Sequence, residues 1–115
     1  MKYEFELDDD SNDFFEETAD NVAEIRVFNQ DNLEITQTSV VEISLSKNAL
    51  IGLGTELIRM AYKFKDGKHI HLEPVNSEQQ VQRLGIFLKP TSSNTIISCK
   101  DSGCIDEYIS DNTTE

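Results

Sequence analysis

Ser46 opens the segment that most restricts what this chain can become. Its hydroxyl suits a helix N-cap, and helical periodicity then runs from Lys47 to Lys65. At about 100° per residue, Leu50, Ile51, Leu53, Gly54, Leu57, Ile58, Met60, Ala61 and Phe64 gather on one half of the cylinder. Asn48, Gly52, Thr55, Glu56, Arg59, Tyr62 and Lys63 gather on the other. Such a helix draws most of its stability from laying its apolar half on another layer, here a sheet. Gly54, within the apolar half, would let the helix approach the strands closely. Gly52, on the polar half, has no packing reason for its cost of about 1 kcal/mol. Asp66-Gly67 is expected to end the helix, because glycine accepts the left-handed conformation.

Strand signals flank this helix on both sides. Tyr3, Phe5 and Leu7 alternate with Lys2, Glu4 and Glu6, the period of a half-buried strand. A second strand is expected over Val22 to Phe28, with Ala23, Ile25 and Val27 on one face, before a turn at Asn29 to Asn32. A third falls within Leu33 to Leu45 and is clearest where Val41, Ile43 and Leu45 alternate with polar residues. After the helix, Lys68 to Glu73, Arg83 to Lys89 and Thr95 to Lys100 complete the set, the last two joined across Pro90 to Asn94. Past Gly103, the spacing of Ile105, Tyr108 and Ile109 suggests one or two helical turns. The expected order is β-β-β-α-β-β-β. The fold class is α+β, a mostly antiparallel sheet of about six strands packed against one main helix, residues 47–65. A length of 115 residues suits a single domain, 1–115, with an acidic segment at 8–20 and an acidic C-terminal tail at 101–115.

Charge narrows the function. The net charge of −12 is segregated. Residues 1–20 hold nine acids against Lys2, residues 101–115 hold five acids and no base, and residues 21–100 hold eight acids against nine bases. Acidic ends repel nucleic acid and anionic membrane surfaces, so neither is an expected partner, and they attract basic proteins. No apolar run approaches the roughly 20 residues of a membrane span. Met1-Lys2-Tyr3-Glu4-Phe5 lacks the pattern of a signal peptide, which gives a cytoplasmic expectation.

The usual catalytic patterns fail one by one. His69, His71 and Glu73 share a strand face, and Cys99 with Cys104 would raise the ligand count to four for zinc. The two pairs lie on separate elements, and a solvent-facing strand explains the histidines without a metal. An acid/base pair for RNA cleavage conflicts with the charge. Gly52-Leu53-Gly54 is no dinucleotide loop, since Leu57 stands at the place of the third glycine and both glycines sit inside a helix. Cys99 ends an apolar strand and reads as a small buried hydrophobe. The sequence therefore assigns no catalytic residue, no metal and no cofactor. It reads as a binding protein rather than an enzyme. The partner surface is expected at Asp8, Asp9, Asp10, Asp13, Glu16 and Glu17, with Phe14 and Phe15 as aromatic anchors inside the charged rim. The alternative surface is the strand face of His69, His71 and Glu73.

Glu42-Ile43-Ser44-Leu45-Ser46-Lys47-Asn48-Ala49-Leu50-Ile51-Gly52-Leu53-Gly54, continued by Thr55-Glu56-Leu57-Ile58-Arg59, is followed by His71, Pro74 and Leu84-Gly85-Ile86-Phe87-Leu88. In this order the stretch from Val41 to Cys99 resembles small bacterial immunity proteins that accompany polymorphic or contact-dependent growth-inhibition toxins. The resemblance implies a cytoplasmic inhibitor of one cognate toxin domain. Toxins of this kind are often nucleases, whose basic grooves an acidic protein suits. It carries over no catalytic residues. The rival reading is a nucleic-acid mimic that occupies the site of a DNA- or RNA-binding enzyme. Acids clustered in loops and termini, rather than arrayed along a regular element, count against mimicry.

Overall fold

The computed structural model describes residues 2, 4, 18–76 and 78–109. The chain divides into two compact units, Met1–Glu24 with Ser102–Glu115, and Ile25–Asp101. The strand expected at Tyr3, Phe5 and Leu7 lies outside the described residues.

Within Ile25–Asp101 the dominant element is α1, Lys47–Tyr62. The Ser46 hydroxyl accepts a hydrogen bond from the Ala49 amide at 3.2 Å, which satisfies one of the free amides of the first turn. The helix stops at Tyr62, three residues before Lys65. Its final turn tightens, with the Phe64 amide bonded to the Ala61 carbonyl at 3.3 Å, and a reversal follows in which the Lys68 amide reaches the Lys65 carbonyl at 2.9 Å. Gly67, at φ +90°, makes that reversal possible.

The chain then enters β1, His69–Leu72, which pairs antiparallel with β2, Thr95–Ser98. The register sets His69 opposite Ser98, Ile70 opposite Ile97, His71 opposite Ile96 and Leu72 opposite Thr95. Ile70, Leu72 and Ile97 turn inward. Leu72 is buried with Leu53 of α1 and Ile86, and Leu45, Ala49, Ile70, Leu84, Leu88 and Ile97 pack around these three. Cys99, 5% exposed, is buried just past β2 as a small apolar side chain, in line with the sequence.

This overturns the expected fold class. Among the described residues the sheet has two strands, not about six, so the architecture is a small α+β body of one helix and one antiparallel pair. The other expected strands that fall on described residues each depart from a ladder in their own way. At Val22 to Phe28 and Leu33 to Leu45, a short hairpin forms around Asn29: Phe28 bridges Glu34, and the Asn29 side chain accepts from the Asp31 and Leu33 amides at 2.9 and 3.0 Å. Its ladder ends where the Thr36 hydroxyl, not a backbone carbonyl, accepts from the Val27 amide, and a 3-10 turn at Thr36–Thr38 diverts the chain. Val41 and Ile43 alternate as a strand would, but among the described residues no ladder partner pairs with them and both are exposed. At Arg83 to Lys89, Leu84 and Gly85 both take positive φ, 55° and 81°. Two successive left-handed residues fold the chain back on itself, so Arg83 and Ile86 bond to each other at 2.9 and 3.1 Å instead of extending.

That turn also fixes the rotation of the helix, which differs from the one its periodicity suggests. Gly52 lies against Gly85: a Cβ on Gly52 would stand 3.0 Å from the Gly85 Cα and nearer still to its carbonyl. A Cβ on Gly85 would stand 2.7 Å from the Gly52 Cα. Neither position admits a side chain. With Gly52 inward, the less exposed positions of α1 are Ala49, Gly52, Leu53, Gly54, Glu56 and Met60, of which Leu53 is buried. Leu50 and Ile51 are 58% and 59% exposed, and Phe64 beyond the helix is 52% exposed. The Gly54 position, expected at the close approach, is open.

In the other unit, Ile105–Glu107 forms a single 3-10 turn. The Cys104 amide donates to the Glu107 carboxylate at 2.7 Å, and the Ile105 amide to the Ala19 carbonyl at 2.8 Å. The Tyr108 hydroxyl donates to the Ser102 carbonyl.

Helix propensity alone says that Gly52→Ala stabilises a mid-helix position by about 1 kcal/mol. The glycine contact reverses the sign. Urea unfolding is expected to show Gly52→Ala destabilised, Leu53→Ala destabilised by about 2–5 kcal/mol, and Leu50→Ala within about 0.5 kcal/mol of the parent. A stabilised Gly52→Ala would show that the helix is rotated otherwise.

Candidate functional site

An antiparallel pair with one inward face leaves the other to solvent. The outward face of β1 and β2 carries His69 and His71 on one strand, with Ser98 and Ile96 directly across. All four are exposed, Ile96 by 60%. The two imidazoles meet edge to face, ring centroids 4.9 Å apart and planes at 75°. His69 Nδ1 lies 3.2 Å from the Gly67 carbonyl oxygen. A carbonyl only accepts, so Nδ1 carries the proton and donates; in the neutral ring this leaves the lone pair on Nε2. Gly67 is itself held, its amide donating to the Cys99 carbonyl at 2.8 Å. The sheet thus brings together the two histidines that the sequence singled out. Glu73 is exposed one residue beyond β1, and among the described residues no ion pair joins it to either ring.

The four-ligand set of His69, His71, Cys99 and Cys104 is not assembled. Cys99 is buried and Cys104 is exposed, both as free thiols, and among the described residues no group of three or more metal-binding side chains gathers. The primary partner candidates, Asp8, Asp9, Asp10, Asp13, Phe14, Phe15, Glu16 and Glu17, lie outside the described residues. Ile96 and Ser98 were not singled out by the sequence. Alternation within β2 gives their face but not their partner, and only the register reveals that they neighbour the histidines.

Two further surface features stand out. The outer side of α1 presents Leu50, Ile51, Leu57 and Ile58, between 38% and 59% exposed, an apolar surface of the kind found at interaction sites. The hairpin carries Arg26 paired with Glu34 at 3.1 Å, the guanidinium 4.9 Å from the centre of the Phe28 ring. Among the described residues no helix is long and apolar enough to cross a membrane.

The helix, both strands and the glycine contact all fall within residues 40–100, the stretch that matches the family model described as immunity protein 32. The chain belongs to the immunity protein 32 family. No curated protein and no solved structure matches it. Membership upholds the resemblance to immunity proteins in its coarse form: the partner implied is a cognate toxin, which the protein neutralises. Proteins of this kind are generally inhibitors without catalysis of their own.

The hairpin gives this immunity protein a measurable acid response. Hydrogen bonds from Arg26 and then Thr36 hold the Glu34 carboxyl below its ordinary value of 4.5. A lowered carboxyl stabilises the fold above its unfolded pKa, and the contribution disappears as pH falls through the lowered folded value. Carbon-detected NMR is expected to place the Glu34 midpoint below 4.5, and Arg26→Ala to bring it back up.

Proposed function

We propose that this immunity protein neutralises the nuclease domain of a polymorphic or contact-dependent growth-inhibition toxin, in the cytoplasm of the cell that makes it. The observation that carries this reading is the placement of charge. Nine acids against one base in residues 1–20, and five acids without a base in residues 101–115, flank a stretch with eight acids and nine bases. A nuclease presents a basic groove to phosphate, so acidic ends raise the rate of encounter with it, while a nearly neutral body adds little repulsion. Asp8, Asp9, Asp10, Asp13, Glu16 and Glu17 steer the approach, and Phe14 and Phe15 supply apolar anchoring within that rim. The face of His69, His71 and Glu73 is the alternative contact surface. Inhibition of this kind is steric and electrostatic: the toxin groove is occupied, and no bond in the inhibitor or the toxin changes.

Affinity capture from the native host, with identification of the toxin that co-purifies, supplies the partner for kinetic tests. Replacing Asp8, Asp9 and Asp10 together by asparagine is expected to slow association and flatten its dependence on salt, with dissociation nearly unchanged. Phe14→Ala is expected to speed dissociation instead. Unchanged association at both low and moderate salt would remove the three aspartates from the mechanism. A captured toxin domain that leaves tRNA, plasmid and single-stranded DNA intact would end the nuclease reading.

A further inference from the structure

We propose that His69 and His71 form a surface binding site for a divalent transition-metal ion, with two protein ligands and the remaining coordination positions open. The inference stands on the geometry of the outward sheet face and is independent of which toxin the protein binds. It also differs from the four-ligand set involving the cysteines, which the fold does not assemble.

Three observations carry it. The first is the spacing of the rings. A zinc–imidazole bond is about 2.0–2.1 Å, and a ring centre lies roughly 1.2 Å beyond its ligating nitrogen. Two imidazoles on one ion, at about 90–110° to each other, therefore have centroids about 4.5–5.3 Å apart. The centroids of His69 and His71 are 4.9 Å apart. Rotation of the His71 ring about its Cβ–Cγ bond leaves this separation nearly unchanged, so His71 can turn towards an ion while His69 stays on its carbonyl bond.

The second is the tautomer. Metal-bound histidines commonly donate their other ring N–H to a carbonyl or carboxylate, which orients the ring and strengthens it as a ligand. His69 already does so through Nδ1 to the Gly67 carbonyl at 3.2 Å, leaving Nε2 to coordinate. Gly67 is positioned for this by the reversal after α1: its φ is +90° and its amide is tied to the Cys99 carbonyl. The supporting group is thus part of the sheet, whether or not an ion is bound.

The third is the surroundings. Ile96 stands directly across from His71, and Ser98, across from His69, places a small hydroxyl there rather than a bulky group. Two imidazoles suit zinc, nickel and copper rather than magnesium or calcium, which prefer oxygen ligands. Copper is expected to bind most tightly of the three, following the general order for nitrogen ligands.

The test titrates the full chain with Ni2+ and separately with Zn2+, in a Cys104→Ser background that removes the exposed thiol as a competing ligand. Excess Mg2+ occupies the carboxylates of the acidic ends. Calorimetry is expected to show one equivalent of Ni2+ bound, and nitrogen NMR to show His69 Nε2, not Nδ1, as the coordinating atom. His69→Gln and His71→Gln, both at exposed positions, are each expected to weaken binding by at least about tenfold. Their helical circular dichroism should match the parent. Binding undiminished in either glutamine variant would overturn the proposal, as would coordination through His69 Nδ1 or Ni2+-induced shifts confined to residues outside β1 and β2.

Discussion

The contact of Gly52 with Gly85 organises the body of this protein. A helix and a tight turn meet backbone to backbone, at a distance that no side chain at either position permits. Once those two backbones touch, the rotation of α1 is no longer free. Leu53 is carried inward beside Ile86 and Leu72, and Ala49 follows on the same stripe. The turn is equally committed, because Leu84 and Gly85 must both adopt positive φ to present Gly85 to the helix. For leucine that conformation is strained. The packing of Leu84 against the core offsets the strain.

The contact also decides what stays outside. With Gly52 facing in, Leu50 and Ile51 face out, and an apolar stripe covers the exposed side of the helix. The two-stranded sheet likewise turns Ile70, Leu72 and Ile97 inward and presents His69, His71, Ile96 and Ser98 to solvent. Burial and exposure are thus divided between different residues of the same short elements. A core of few buried side chains, each contributing about 1.5–3 kcal/mol, is sufficient only if its geometry is well fixed. The paired glycines supply that fixity.

Much of this was legible in the sequence, and the failures have physical causes. The Ser46 cap, the helix, the turn at Gly67 and the strands around His69 and Thr95 follow from local chemistry and were read correctly. So was the common face of His69 and His71, which depends only on alternation. The helix rotation was misread because periodicity gathers Leu50, Ile51 and Leu53 on one half, and here only its Leu53 edge faces the core while Leu50 and Ile51 face solvent. Gly52, without a packing reason on the assumed polar face, was the visible sign of error: a glycine in mid-helix marks close backbone approach. The segment from Arg83 to Lys89 looked like a strand because Leu84, Ile86 and Leu88 alternate, yet Gly85 in its interior was the signal of a reversal. The extended stretch at Val41 to Leu45 has a strand's pattern but no ladder partner among the described residues, which no local pattern reveals.

A direct view of the glycine pair decides whether this description is right. In a nuclear Overhauser spectrum of the isotope-labelled protein, the Hα protons of Gly52 should show strong cross-peaks to the Hα protons of Gly85. Gly54 should show none to residues 83–86, and the Leu53 methyls should reach Ile86 and Leu72. Cross-peaks from Leu50 and Leu57 methyls to Leu72 and Ile86, with none between the two glycines, would mean that the helix lies on the sheet by its other face and that the glycine contact does not exist.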